Sequence, residues 1–324
     1  MTKASAVLIL GATGRLGAAC ARAFAGAGWR VIAQSRRAAT QPALSGVTAW
    51  VTGKGAIDST STALQSVDVV IHAMNPAYTQ AAWTTSQPAM MQDAIDLAQS
   101  LNALLMFPGN VYNFGAGMPE QLNEDTPQRP TTVKGRLRME SELALRQATQ
   151  ASALRAVVIR AGDFFGSGRG AMFDQVTVSK IAKGVFTHAG PLNIATPWAY
   201  LPDLAQTFVQ VAQRCHQLPQ FEVLHFAGHT LSGHDWLAAL QPLAVANEWV
   251  APAQTLKTAA LPWPVMRAIG WVSPSFASLV EMRYLHSTAH ALDNRRLCKW
   301  IGSEPHTPLA VAAARALADL GLAH

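Results

Sequence analysis

A chain of 324 residues with three scattered cysteines, Cys20, Cys215 and Cys298, is too long for a small disulfide-stapled scaffold, and no CxxC or Cys/His spacing points to a metal. The formal charge is +6, yet only 14% of the residues are charged and the cations form no block or stripe, which speaks against nucleic acid and for anionic small molecules. No apolar run approaches the ~20 residues of a membrane span, so the expectation is a cytoplasmic protein with a small-molecule substrate and neither nucleic acid nor membrane among its partners.

The opening "MTKASAVLILGA" imitates a secretion signal, but its short apolar run leads straight into glycines that need a strand before them. In "AVLILGATGRLGAACARAFAGAGWRVIAQSRR" the run 7–10 reads as a strand buried on both faces. Leu16, Cys20, Ala23, Phe24 and Ala27 then recur at helical spacing as far as Gly28, and a second strand follows over 29–34. Strand, glycine turn, helix and strand form a βαβ unit whose helix N-terminus can receive a pyrophosphate. Gly11, Thr13, Gly14, Arg15, Leu16 and Gly17 are therefore candidate cofactor-binding residues. An NAD site would place Asp or Glu at the end of the second strand; Ser35, Arg36 and Arg37 stand there instead and suit the 2′-phosphate of NADP(H), with NAD(H) the lesser alternative. Lys54 and Asp58 follow in "VTGKGAID", and the adenine-binding residue is left open.

Strands are expected at 47–51, 67–76, 103–107 and 155–160, with helical stretches near 59–66, 88–101 and 133–150. That alternation implies an α/β fold with a doubly wound parallel sheet and ligand-binding loops at the strands' carboxyl ends. Past residue 165 the rhythm fades: 198–215 reads as a short strand and helix, 221–228 as a strand, and Ser232 as the cap of the next helix. The stretch 261–286 concentrates Trp263, Met266, Trp271, Phe276, Met282 and Tyr284, a stripe that reads first as core and otherwise as a substrate pocket or a face for a partner subunit in a homodimer.

On "GATGRLG", "DVVIHAMNP", "FPGNVYNFG", "VVIRAGDFFGSG" and "WAYLPDLAQ" the chain resembles the NAD-dependent epimerase/dehydratase group of the extended short-chain dehydrogenase/reductases. The resemblance implies a Rossmann-type domain over 1–165, to which 195–228 returns, and a smaller C-terminal substrate lobe from 166–194 and 229–324. It also implies a serine after the fifth strand and a Tyr-x-x-x-Lys pair on the next helix, the tyrosine exchanging a proton with the substrate oxygen. Here the corresponding positions hold Pro108, Lys134 and Arg138. Spacing of four puts Lys134 and Arg138 on one helix face; Lys134 can carry a proton, whereas Arg138 serves only as a fixed cation. Candidate catalytic residues are Lys134, Arg138, Asn110 and Tyr112, with Ala73, Asn75, Lys134 and Arg138 also expected to touch the cofactor. Two functions follow: an NADP(H)-dependent oxidoreductase or epimerase for a small carbonyl or hydroxyl compound, or a dinucleotide-binding sensor or assembly factor without turnover.

Overall fold

The computed structural model describes residues 4–36, 44–53 and 57–323. Seven strands form one parallel sheet: β1 (Ala6–Leu10), β2 (Arg30–Ser35), β3 (Val47–Thr52), β4 (Val69–His72), β5 (Leu104–Asn110), β6 (Arg155–Ala161) and β7 (Phe221–His225). Their order is β7-β6-β5-β4-β1-β2-β3. Strands are added to one side from β1 to β3 and to the other side from β4 onward, and that reversal of strand order between the parallel β1 and β4 opens a crevice at their carboxyl ends.

Helices cover both faces because the central strands are apolar on both. Helices α1 (Arg15–Gly26) and, far along the chain, α4 (Leu201–Ala212) set Cys20, Phe24, Leu204 and Phe208 against one face. On the other face α2 (Gln80–Ser100) and α3 (Val133–Ala151) contribute Met91, Ile95 and Leu145.

Several boundaries differ from expectation. Helix α2 begins two turns before Pro88, because Thr79 caps it by accepting from Ala82 N (3.2 Å). The bond that Pro88 cannot donate falls at exposed Thr84, where solvent can serve that carbonyl. The helix expected over 59–66 shrinks to one 3₁₀ turn, Thr62–Leu64, with Leu64 its one buried residue. The strand expected over 67–76 stops at His72, which leaves Ala73 and Asn75 on the crevice rim. Strand β5 instead runs on to Asn110 through Pro108, beyond the last β4 partner at Met106, so the missing N–H costs no ladder bond on that side.

Of the returning segment, Phe221–His225 is the edge of the central sheet, whereas Thr196–Tyr200 pairs with Asp163–Phe165 and His229–Leu231 in a separate three-stranded sheet. That sheet packs with α5 (Gly233–Ala246) and α9 (Leu309–Asp319) around Trp236, Leu240 and Ala316. Helix α5 starts at a capping box in which Ser232 accepts from Asp235 N and Asp235 from Ser232 N. Between them lie α6 (Trp263–Gly270) and α7 (Pro274–Glu281), followed by α8 (Arg295–Ile301). Among the described residues no helix is long and apolar enough to cross a membrane.

Candidate functional site

The glycine turn links the end of β1 to α1. Gly11 has φ +77°, and a Cβ there would stand 2.9 Å from Met74 N; a Cβ on Gly17 would run into the Gly11 carbonyl. Gly14 donates to that carbonyl (2.9 Å) and opens α1 with no side-chain cap and no acid in the first turn. The backbone at this helix start therefore presents donors and positive dipole to the exposed rim formed by Thr13 and Gly14. Leu16 buries its side chain in the core. The Arg15 guanidinium turns away to the Gly166 carbonyl (2.5 Å), where burial lowers its pKa and the charges of Asp174 and Asp319 oppose that shift.

The turn is braced by Gln34, a residue sequence reasoning passed over. Its Oε1 accepts from Gly11 N (2.8 Å) and its Nε2 donates to Gly53 O (2.7 Å), which ties the ends of β1 and β3 to β2. Beside it Ser35 is buried and Arg36 exposed, while Arg37 and Lys54 lie outside the described residues. Asp58 is engaged in a local turn with Thr60 (N 2.9 Å, Oγ1 2.6 Å).

At the other end of the crevice the two cations of α3 meet different surroundings. Thr132 caps the helix by accepting from Gly135 N (3.1 Å). Glu281, from the end of α7, accepts from Val133 N (2.8 Å) and from Lys134 Nζ (3.1 Å). One carboxylate thus offsets both a buried ammonium and the positive end of the helix dipole. The Lys134 side chain is fully buried, with Nζ 4.9 Å from the centre of the Tyr78 ring. Arg138 lies 5.1 Å from the centres of the Trp83 and Phe107 rings and donates to Asn75 Oδ1 (3.2 Å) and to Pro108 O (3.4 Å). Its Nε is buried without a partner among the described residues. Burial brings its pKa down to about 10, so it stays cationic near neutrality.

Asn110 turns its Oδ1 to Tyr112 N (3.0 Å), the geometry of a turn residue. The Tyr112 and Tyr78 hydroxyls share a hydrogen bond, and the Tyr112 pKa is pushed up to about 12, first by burial and then by the charge of Asp163. Asp163 faces this pair from the next strand end, with Oδ2 3.7 Å from His286 Nδ1. The structure therefore brings Asn75, Lys134, Arg138, Asn110 and Tyr112 to one rim with Asp163. Glu281 was not foreseen, because 147 residues separate it from Lys134 and nothing local marks it.

The model of the NAD dependent epimerase/dehydratase family matches residues 7–226. The chain belongs to that family. Among solved structures it is similar to UDP-glucose 4-epimerase from Brucella ovis in complex with NAD, at TM-score 0.74 and 15% identity over 98% of this chain and 99% of that one. It is also similar to the Bordetella bronchiseptica enzyme WbmH in complex with NAD+ (TM-score 0.71, 17% identity, 98% of each chain). The NAD dependent NDP-hexosamine 5,6-dehydratase TunA is a third such structure (TM-score 0.71, 18% identity, 97% of each chain). No curated protein matches the sequence. At these identities the neighbours speak for the fold alone.

Proposed function

We propose that this chain binds NADP(H) in preference to NAD(H) and uses it to oxidise or reduce a small, uncharged hydroxyl or carbonyl compound. The observation that carries the reading is the uncapped glycine turn with Arg36 exposed at the end of β2. The N–H groups of residues 15–17 would hold the pyrophosphate, and Ser35 and Arg36, with Arg37, the 2′-phosphate. Asn75 and Arg138 would hold the nicotinamide end, where the unpartnered Nε of Arg138 leaves a donor to spare. The dinucleotide supplies or accepts hydride. The chain's part is to bind, orient and exchange a proton.

A nucleoside diphosphate fits the substrate side poorly. Asp163 puts a carboxylate on that wall, and Asp235 already caps α5. Calorimetric titration is expected to show NADPH binding more tightly than NADH, with Arg36→Ala costing about 1–3 kcal/mol for NADPH alone, the scale of a charge-assisted bond. Equal affinity for the two dinucleotides contradicts the preference.

The second reading, dinucleotide binding without turnover, is favoured by the Lys134–Glu281 pair, which occupies the amine that the sequence resemblance sets at the family's tyrosine position. Lys134→Met separates the roles. As an anchor held by Glu281, Lys134 can be lost with turnover of a panel of aldehydes, ketones and alcohols changing only a few-fold at saturating cofactor. A fall of ~10²–10⁴-fold would make it the general acid. A parent that binds dinucleotide yet turns over nothing in the panel supports the second reading.

A further inference from the structure

The stripe in 261–286 does not stay together in the fold. Trp263, Met266 and Met282 are buried, whereas Trp271 and Val272, in the turn between α6 and α7, are 88% and 85% exposed. Val265, Ile269 and Phe276 are exposed beside them. An apolar patch of this kind on a helical hairpin marks an interaction surface.

Its charge is one-sided. No Asp or Glu occurs between Glu248 and Glu281. Arg267 is exposed on α6, and exposed Arg283 sets its guanidinium 5.5 Å from the centre of the Trp263 ring. Glu281, the nearest carboxylate in sequence, is engaged with Val133 N and Lys134. The groove that α7 shares with α2 is lined by Gln80, Thr84, Pro274, Ala277 and that same Glu281, and residues 80–92 carry no charge at all. The hairpin is therefore apolar at its tip and cationic at its rim, and among the described residues its one carboxylate, Glu281, is paired with Lys134.

Shape separates the occupants. A second copy would need a self-complementary patch related by a two-fold axis. Here an indole and a valine project almost whole from the turn joining two eight-residue helices, a convex tip. Such a tip suits the boundary between headgroups and acyl chains, where Trp is enriched and arginines meet anionic lipid. We propose that the Trp271–Val272 turn docks this protein reversibly on anionic lipid surfaces. The lack of a membrane-spanning run bears on crossing a bilayer and not on resting upon one.

The intact chain is mixed with vesicles of phosphatidylcholine alone or with phosphatidylglycerol, and sedimented. The expected result is binding to the anionic vesicles that weakens with salt. Trp271→Ser combined with Val272→Ser should lower partition by about tenfold or more. Arg267→Gln should lower it by about fivefold, the worth of one cation at such a surface. An unchanged thermal transition shows that these surface variants fold. Absence of vesicle binding, or equal binding by the double variant, overturns the proposal. So does a parent dimer that the double variant dissolves, which would assign the tip to a second copy.

Discussion

Gly14→Val is expected to weaken binding of either dinucleotide by more than about a hundredfold while the protein keeps a cooperative thermal transition. Gly14 sits at φ −77° and ψ 165°, extended backbone that valine adopts readily, and its Cβ would stand 3.2 Å from the Gly11 carbonyl. The branched side chain would then cover the rim where the helix presents its free donors. The neighbouring glycines are less useful, because a side chain at Gly17 strikes backbone and one at Gly11 is strained by φ +77°, so both would disturb the fold as well. Calorimetry and a thermal melt on the same preparation check the expectation. Normal affinity in the variant would place the phosphate site elsewhere.

Glu142→Ala is expected to lower stability by about 3–5 kcal/mol, because it leaves the buried guanidinium of Arg160 without a counter-charge. Arg160 donates to Glu142 through Nε (3.0 Å) and Nη2 (2.5 Å), and Gln128 Nε2 adds a third bond (2.9 Å). Arg160 Nη1 can only donate, so at 3.2 Å His225 Nε2 accepts and Nδ1–H donates to Leu122 O (3.2 Å). His225 must therefore be neutral in the folded chain. Burial, then Arg160, lowers its pKa to about 3, and burial with Arg138 does the same for His72. An unfolded imidazole titrates near ~6.5, so the unfolded chain binds more protons below that pH. The stability these groups confer is complete above about pH 6.5 and declines as pH falls toward 3. Urea unfolding at neutral and mildly acid pH should show the midpoint dropping in the parent. A double change of Glu142→Leu with Arg160→Met should recover much of the loss, since an apolar pair of similar volume leaves no stranded charge. A loss below ~1 kcal/mol for Glu142→Ala would mean that water reaches Arg160.

What the sequence determined by itself was local. The glycine turn, the helix after it and the alternation of strand and helix are set by spacing within a few residues, and α3 ends within one residue of its expected end, at Ala151 rather than 150. Ser232 was legible as a cap for the same reason. The start of α2 was not, because whether a helix runs through Pro88 depends on whether the carbonyl it leaves unpaired meets solvent. Lys134 and Arg138 were placed on one face by their spacing, but their states were decided elsewhere: Glu281 reaches Lys134 from α7, and Trp83 and Phe107 enclose Arg138. Arg15 is drawn to the Gly166 carbonyl through a contact across 151 residues. The division of 261–286 into buried Trp263 and exposed Trp271 likewise has no periodic signature, since both are large and apolar. Periodicity reports which residues share a face, whereas burial and charge pairing depend on what the rest of the chain brings against that face.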